Sequence, residues 1–437
     1  MQVYKEPIMK NSLNSLTLLL PLFFLFSCSA PQTAVEETPP TVSKNTGTDI
    51  SATAALSLKE EFQPTADKDT NANSQSCNNE QVKLTSDFAA GRMDECKRTG
   101  EYEYSITLVP ENTPINSSPW YAFKIQAKQV TDITITMQVQ GDKHRYPPKI
   151  SRDGNKSWQL QDYQLKGERL IMKVKASPQS VTIAAQEIIN NQYYVDWAEE
   201  LTVQSAFTQS ILGLSTQGRP IYKIESRDEN SNEWVVILGR QHPPEVTGAL
   251  ALFPFVETLL SESELSKYFL RKYNVLVIPN INPDGVHAGN WRSNANGMDL
   301  NRDWNDFSQI ETQLINDYLK GLVAQGQKIK FAVDFHSTKN DIFYTMPVDY
   351  GVESSYFVRH WLGELDRQMP NFNVVLRPGN NPNLGVSKQY FSDQFGVHAI
   401  TYEMGDNTDR TKIKRIAFKS ANILMINMLS ETDHDKE

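Results

Sequence analysis

Two hydrophobic periods divide the chain. From Val82 to Asp196 apolar residues recur at every second position: Tyr102–Leu108, Trp120–Ile125, Ile133–Val139 and Leu170–Val174 alternate or run apolar between Pro, Gly, Asn and Asp breaks. Several short strands with no helical pattern predict a β-sandwich. After about Glu200 the rhythm changes. Gly213–Ile221 reads as a turn entering a strand, and apolar strand-type runs follow at Trp234–Leu238, Tyr273–Ile278, Lys328–Phe335 and His398–Tyr402. These alternate with helical patterns at Glu245–Leu260, Ile310–Gln325, Ser354–Arg367 and Arg415–Leu429. Strands alternating with helices predict an α/β domain, a mixed twisted sheet covered by helices on both faces.

The first 81 residues follow neither period. Lys5 and Lys10 precede an apolar run from Leu16 to Phe26 that is too short to span a membrane but suits a secretory signal. The run ends Leu25-Phe26-Ser27-Cys28, which resembles the bacterial lipoprotein box and makes Cys28 the expected acylated residue; an ordinary signal peptide with a free cysteine is the alternative. Residues 29–81 are rich in Ser, Thr, Pro, Asn, Gln and Glu, and such a composition cannot bury enough surface to offset its ordering entropy. As a flexible coil this linker would span roughly 40 Å. The expected organisation is a signal over 1–28, a disordered linker over 29–81, a β-sandwich over 82–196 and an α/β domain over 200–431.

Composition narrows the possibilities. In 437 residues, 39% hydrophobic and 10% aromatic content is ample for large cores, and a net charge of −9 without a clustered basic face argues against a nucleic-acid partner. Besides Cys28 there are only Cys77 and Cys96. In an oxidising compartment these could pair, for about 3 kcal/mol of loop-closure entropy, or stay as two thiols if Cys77 belongs to the linker.

The densest chemistry lies in Trp234–Leu260, where an apolar run ends at Gly239, His242 and Glu245 follow, and a helical pattern begins after Pro243-Pro244. A His and a Glu three residues apart are, alone, a common surface pair. The same form recurs twice, however: Lys328–Phe335 leads to His336, and His398–Tyr402 leads to Glu403. A parallel or mixed sheet would gather these four groups at one edge, where ligands of α/β sheets collect. Two imidazoles with one carboxylate suit a catalytic rather than a structural zinc site, because the fourth position stays open.

His242-Pro-Pro-Glu245, Pro279-Asn-Ile-Asn-Pro-Asp284-Gly285, Asn290-Trp291-Arg292 with Gly297-Met-Asp299-Leu-Asn301-Arg302, Phe335-His336-Ser337 and Tyr402-Glu403 together resemble the zinc carboxypeptidase family, in order and context, over roughly Ser205 to Leu429. The preceding strands, with Asp87-Phe88 and Tyr193-Tyr194, are similar to the β-domain of its cytosolic carboxypeptidase branch; a carbohydrate-binding module is the rival for that region. The resemblance implies one zinc per chain, held by His242, Glu245 and His336. It also implies Glu403 as general base, Arg292 as the cation facing the developing oxyanion, and Asn301 with Arg302 as the binders of a substrate carboxylate. Lys388 falls where the family selects the side chain to be removed, and would favour an acidic one.

Each residue also has a structural alternative. Arg292 and Arg302 could be salt-bridged to Asp284 or Asp299, and Lys388 could snorkel to solvent from a helix start. His398 and His287 are expected to pack near the site rather than act in it. The sequence departs from the family as well: Pro244 stands where carboxypeptidase A carries an arginine, and the tyrosine that caps its substrate has no evident counterpart.

The resemblance thus implies a zinc-dependent carboxypeptidase acting on peptides with a free C-terminal carboxylate. The leader adds a lipid anchor in a bacterial envelope, at the periplasmic face of the outer membrane. Two alternatives stand beside it: a hydrolase of peptidoglycan peptides cutting beside diaminopimelate, and a non-catalytic binding lipoprotein.

Overall fold

In the β-domain, period-two alternation becomes two facing sheets. The computed structural model describes residues 77–203 and 207–434. Strands β1 (Val82–Thr85), β2 (Glu95–Arg98), β3 (Glu103–Leu108), β4 (Ala122–Ala127), β5 (Thr131–Val139), β6 (Lys149–Ser151), β7 (Gln159–Leu160), β8 (Tyr163–Lys166), β9 (Arg169–Ala176) and β10 (Val181–Ala184) form two five-stranded sheets, ordered β1-β4-β10-β6-β7 and β2-β3-β5-β9-β8. Ile133, Ile135 and Met137 of β5 point inward with Leu170, Met172 and Val174 of β9, and they share one core with Phe123, Ile125 and Ile183 of the opposite sheet. Each such side chain stabilises the fold by about 1.5–3 kcal/mol when fully buried.

The leader and Cys28 lie outside the described residues. The linker boundary shifts: Cys77 is fully buried and paired with Cys96, so the last residues assigned to the linker belong to the β-domain. Asn79 Oδ1 accepts the N–H groups of Gln81 and Val82, and Asn78 Oδ1 that of Leu84, which satisfies the entry to β1 locally.

A helix crosses the expected domain boundary. Helix α1 (Asn191–Thr202) starts at an Asn190 cap that accepts Tyr193 N–H, and it buries Tyr194 and Trp197 against Phe253.

Beyond it, β11 (Phe207–Leu214), β12 (Pro220–Ser226), β13 (Glu233–Gly239), β14 (Asn274–Ile278), β15 (Lys328–Thr338), β16 (Ile342–Thr345), β17 (Leu376–Pro378) and β18 (His398–Gly405) build one eight-stranded sheet, ordered β11-β12-β14-β13-β15-β18-β16-β17. Strands β14, β13, β15 and β18 run parallel, with β12 and β16 antiparallel beside them. The helices are α2 (Val246–Leu259), α3 (Glu264–Lys272), α4 (Pro283–Ala288), α5 (Ile310–Ala324), α6 (Phe357–Gln368), α7 (Ser387–Phe395) and α8 (Arg410–His434).

Alternate residues of β13 serve opposite faces. Val235 and Ile237 join a core with α2, α6 and α8, whereas Trp234, Val236 and Leu238 join one with Ile315 and Leu319 of α5 and Phe391 of α7. Both faces are therefore covered, as a largely parallel sheet requires. Among the described residues no helix is long and apolar enough to cross a membrane.

Candidate active site

The loop leaving β13 is pinned before it presents its side chains. Arg240 takes a left-handed φ of 56°, and its guanidinium donates to Pro243 O at 2.9 Å and to Tyr194 Oη at 2.9 Å. His242 and Glu245 are fixed just beyond, and α2 then packs directly on β15. A side chain at Gly248 would meet His336 O at 2.6 Å, so only glycine allows that approach. His336 and Glu403 lie inside β15 and β18 rather than past their ends, because both strands run three residues further than the apolar patterns.

His242, Glu245 and His336 are all buried, and their ligating atoms lie within 4.8 Å of one another. Glu245 Oε1 is 2.8 Å from His242 Nδ1, Glu245 Oε2 is 2.8 Å from His336 Nδ1, and the two Nδ1 atoms are 3.2 Å apart. The far nitrogens face carboxylates. His242 Nε2 bonds Asp299 Oδ1 at 2.9 Å, and His336 Nε2 lies 2.8 Å from Asp334 Oδ2, off hydrogen-bond alignment. For His242 the carboxylate bonded to the remote nitrogen places the proton there and leaves the Nδ1 lone pair for a metal. Burial works against the Glu245 charge, yet His242 and His336 hold its carboxyl well below the usual range, so it is present as a carboxylate. The donor set fits a zinc ion with an open position.

Glu403 stands beside this cluster, partly buried, and its Oε2 has no hydrogen-bond partner among the described residues. Burial first, then the Glu245 charge, push its carboxyl up to about 8 against His336, Arg292 and Arg145. Arg292 Nη1 is 3.9 Å from Glu245 Oε1, while its Nε donates to Asp299 Oδ2 at 2.6 Å. Of the salt bridges weighed from sequence, Arg292–Asp299 forms. Asp284 instead takes Arg219 at 2.9 Å and Ser215 Oγ at 2.7 Å. Arg302 is exposed, its Nη1 donates to Asn301 O at 2.7 Å, and no described carboxylate pairs with it. Asn301 is buried and accepts Ser387 N–H at 2.9 Å, which ties it to the start of α7.

Lys388 corrects one expectation. It does not snorkel: it is 4% exposed, its Nζ donates to Thr345 O at 3.0 Å and to Gly379 O, and Met346 Sδ lies at 3.3 Å. Burial pushes its ammonium down to about 8. His398 lies at the opposite end of β18 from Gly405, bonded to Ser354 O at 2.9 Å, and so packs away from the cluster.

Sequence reasoning passed over three neighbours. Asp334 is one: two residues before His336 on a strand, it shares that residue's face, and this periodicity was its signal. It also accepts Gln241 Nε2 and Ser387 Oγ. Tyr344 is the second: on β16 its phenol is pushed up by burial and by Glu403, with Arg377 opposing. Arg145 of the β-domain is the third, bound to Asp406 just beyond β18 at 2.8 and 3.1 Å. Neither carried a sequence signal, since each acts across a long chain separation.

Parallel strands that deliver two histidines and a glutamate to one sheet edge, with a further glutamate beside them, define a zinc-peptidase type of domain. The chain belongs to the zinc carboxypeptidase family, whose profile matches residues 194–425. It is similar to cytosolic carboxypeptidase 3 of Bos taurus, at 23% identity over 298 residues, covering 59% of this chain and 29% of that protein. The chain thus spans less than a third of that relative's length. Its fold is similar to that of a metallo-carboxypeptidase from Burkholderia cenocepacia, with a TM-score of 0.66 and 18% identity over 81% of this chain and 99% of that one. It is also similar to the metallo-carboxypeptidase of Pseudomonas aeruginosa solved with (2-guanidinoethylmercapto)succinic acid, with a TM-score of 0.64 and 18% identity over 79% and 98%. The family's fold is therefore preceded here by a strand-rich region.

Proposed function

We propose that this protein is a zinc-dependent carboxypeptidase that hydrolyses the C-terminal peptide bond of peptides, with one zinc per chain. The observation that carries this reading is the convergence of His242, Glu245 and His336 within 4.8 Å, with the Glu403 carboxylate on the neighbouring strand. When bound, zinc supplies the Lewis acidity that activates water and polarises the scissile carbonyl. Glu403 takes the proton of the attacking water on its unpartnered Oε2 and passes it to the leaving amine. A carboxylate can take the proton in the first step and return it in the second. Arg292, oriented by Asp299, faces the negative charge that develops on the carbonyl oxygen. Arg302, with no described carboxylate on its guanidinium, and Asn301 beside it receive the substrate's terminal carboxylate.

Lys388 supports a narrower substrate class. Two of its three N–H groups have carbonyl partners and the third faces only a thioether, a weak acceptor, so a substrate carboxylate would be its strongest partner. Peptides ending in Glu, Asp or a residue with a second carboxylate such as diaminopimelate are the substrates this favours. The leader sequence supports a lipid anchor at Cys28 in a bacterial envelope. A mixed peptide library and purified muropeptides, offered to one zinc-loaded preparation and read by mass spectrometry, test the reading. Loss of single C-terminal residues is the expected result, and internal cleavage or no cleavage overturns it.

A further inference from the structure

Glu111, on the loop between β3 and β4, reaches out of the β-domain and accepts three successive backbone N–H groups of the α/β domain. Trp291 N–H bonds Oε2 at 2.9 Å, and those of Arg292 and Ser293 bond Oε1 at 2.8 and 3.0 Å. Asn112, the next residue, donates to Ser293 Oγ at 3.0 Å and Gly297 O at 2.6 Å. Behind them Arg92 sits 3.8 Å from Glu111 Oε2 and donates to Gly289 O at 3.2 Å. The segment held in this way, residues 290–298, belongs to no strand or helix, so no ladder satisfies its N–H groups. A carboxylate gathering several N–H groups makes charge-assisted bonds, about twice as strong as neutral ones. The middle N–H of the three is that of Arg292.

We infer that Glu111 is a positioning residue for Arg292. It fixes the backbone from which the guanidinium reaches the reaction centre, so the β-domain completes the α/β domain's machinery rather than merely preceding it. This rests on the carboxypeptidase reading. Domain docking does not depend on Glu111 alone: Arg145 holds Asp406 at 2.8 and 3.1 Å, and Arg410 holds Glu187 at 2.9 and 2.8 Å, in a separate part of the same interface. The effect of losing Glu111 should accordingly be local to the Arg292 segment.

The test uses the full-length, zinc-loaded protein. Glu111→Gln keeps the shape but sets an amide N–H₂ against backbone donors. A misplacement of about 1 Å at a reacting group costs on the order of a hundredfold, so kcat should fall at least tenfold while KM stays within twofold. Combining it with Arg292→Ala should lower kcat no further than Arg292→Ala does alone. Glu187→Gln, which weakens another contact across the interface, should leave kcat unchanged. Hydrogen exchange provides a readout free of turnover, since protection of residues 291–293 should be lost in Glu111→Gln alone. An unchanged kcat, an additive effect on Arg292→Ala or intact protection overturns the inference. If Glu111→Gln does not fold, Glu111→Asp carries the same comparison, with a smaller fall expected and the same non-additivity required. A wild-type chain that cleaves no peptide fails the proposed function instead, and exchange then decides the positioning.

Discussion

His336 and Glu403 are register partners on the adjacent parallel strands β15 and β18. One strand pair therefore places a candidate metal ligand and the candidate general base side by side, with a separation set by sheet geometry rather than by a mobile loop. Their placement yields separate predictions for metal binding and for turnover.

Replacing His336 by alanine leaves two of the three donor groups, and Asp334 loses the imidazole it faces. Zinc content after dialysis, measured by atomic emission, should drop well below one equivalent. Retention of a full equivalent would remove His336 from the ligand set.

Glu403→Gln preserves shape but cannot accept a proton. Zinc content and thermal unfolding should match wild type, while kcat falls roughly 10²–10⁴-fold, the usual worth of a general base. Turnover within tenfold of wild type is incompatible with the role proposed for Glu403.

Lys388 gives a pH dependence of defined sign. Its ammonium is lowered from the ordinary 10.5 to about 8 by burial, so preference for an acidic C-terminal residue should be full below pH 8 and fade above it. The measured quantity is the ratio of kcat/KM for paired peptides ending in Glu and Leu. Lys388→Ala should flatten the profile and lose about 1–3 kcal/mol of discrimination. The stability sign is opposite: between about 8 and 10.5 the unfolded lysine holds more protons than the folded one, so this group's contribution to stability rises with pH across that window. A ratio insensitive to both pH and substitution removes Lys388 from the substrate site.

Cys28→Ser should shift the protein from the membrane fraction to the soluble one, or stall its processing. Fractionation and apparent mass identical to wild type would indicate an ordinary signal peptide.

Elements long enough to repeat a hydrophobic period were legible without the structure. The strands at Trp234, Tyr273, Lys328 and His398 and the helices at Ile310 and Ser354 announced themselves in this way, with ends displaced by a few residues. Helix α4 spans six residues and α7 nine, too few turns to establish a period, and they hold their shape through Gly289 at a left-handed C-cap and through packing of Phe391 on Trp304. Helix α1 was masked by the strand pattern running into it. Lys388 was legible as a charge near the site, but its burial was not, because the chain that covers it comes from β16 and from the segment around Gly379.

The residue types of the site were thus determined by the sequence itself: His242 and Glu245 after one apolar run, His336 and Glu403 after two others, since hydrophobic period and ligand chemistry are local properties. Only the tertiary structure decided which groups surround them. Glu111 is 181 positions from Arg292, and Arg145 is 261 from Asp406. No local pattern encodes such a pairing, because what brings these groups together is the packing of the β-domain against the α/β domain, and the carboxylates and guanidinia are matched only once both backbones are in place.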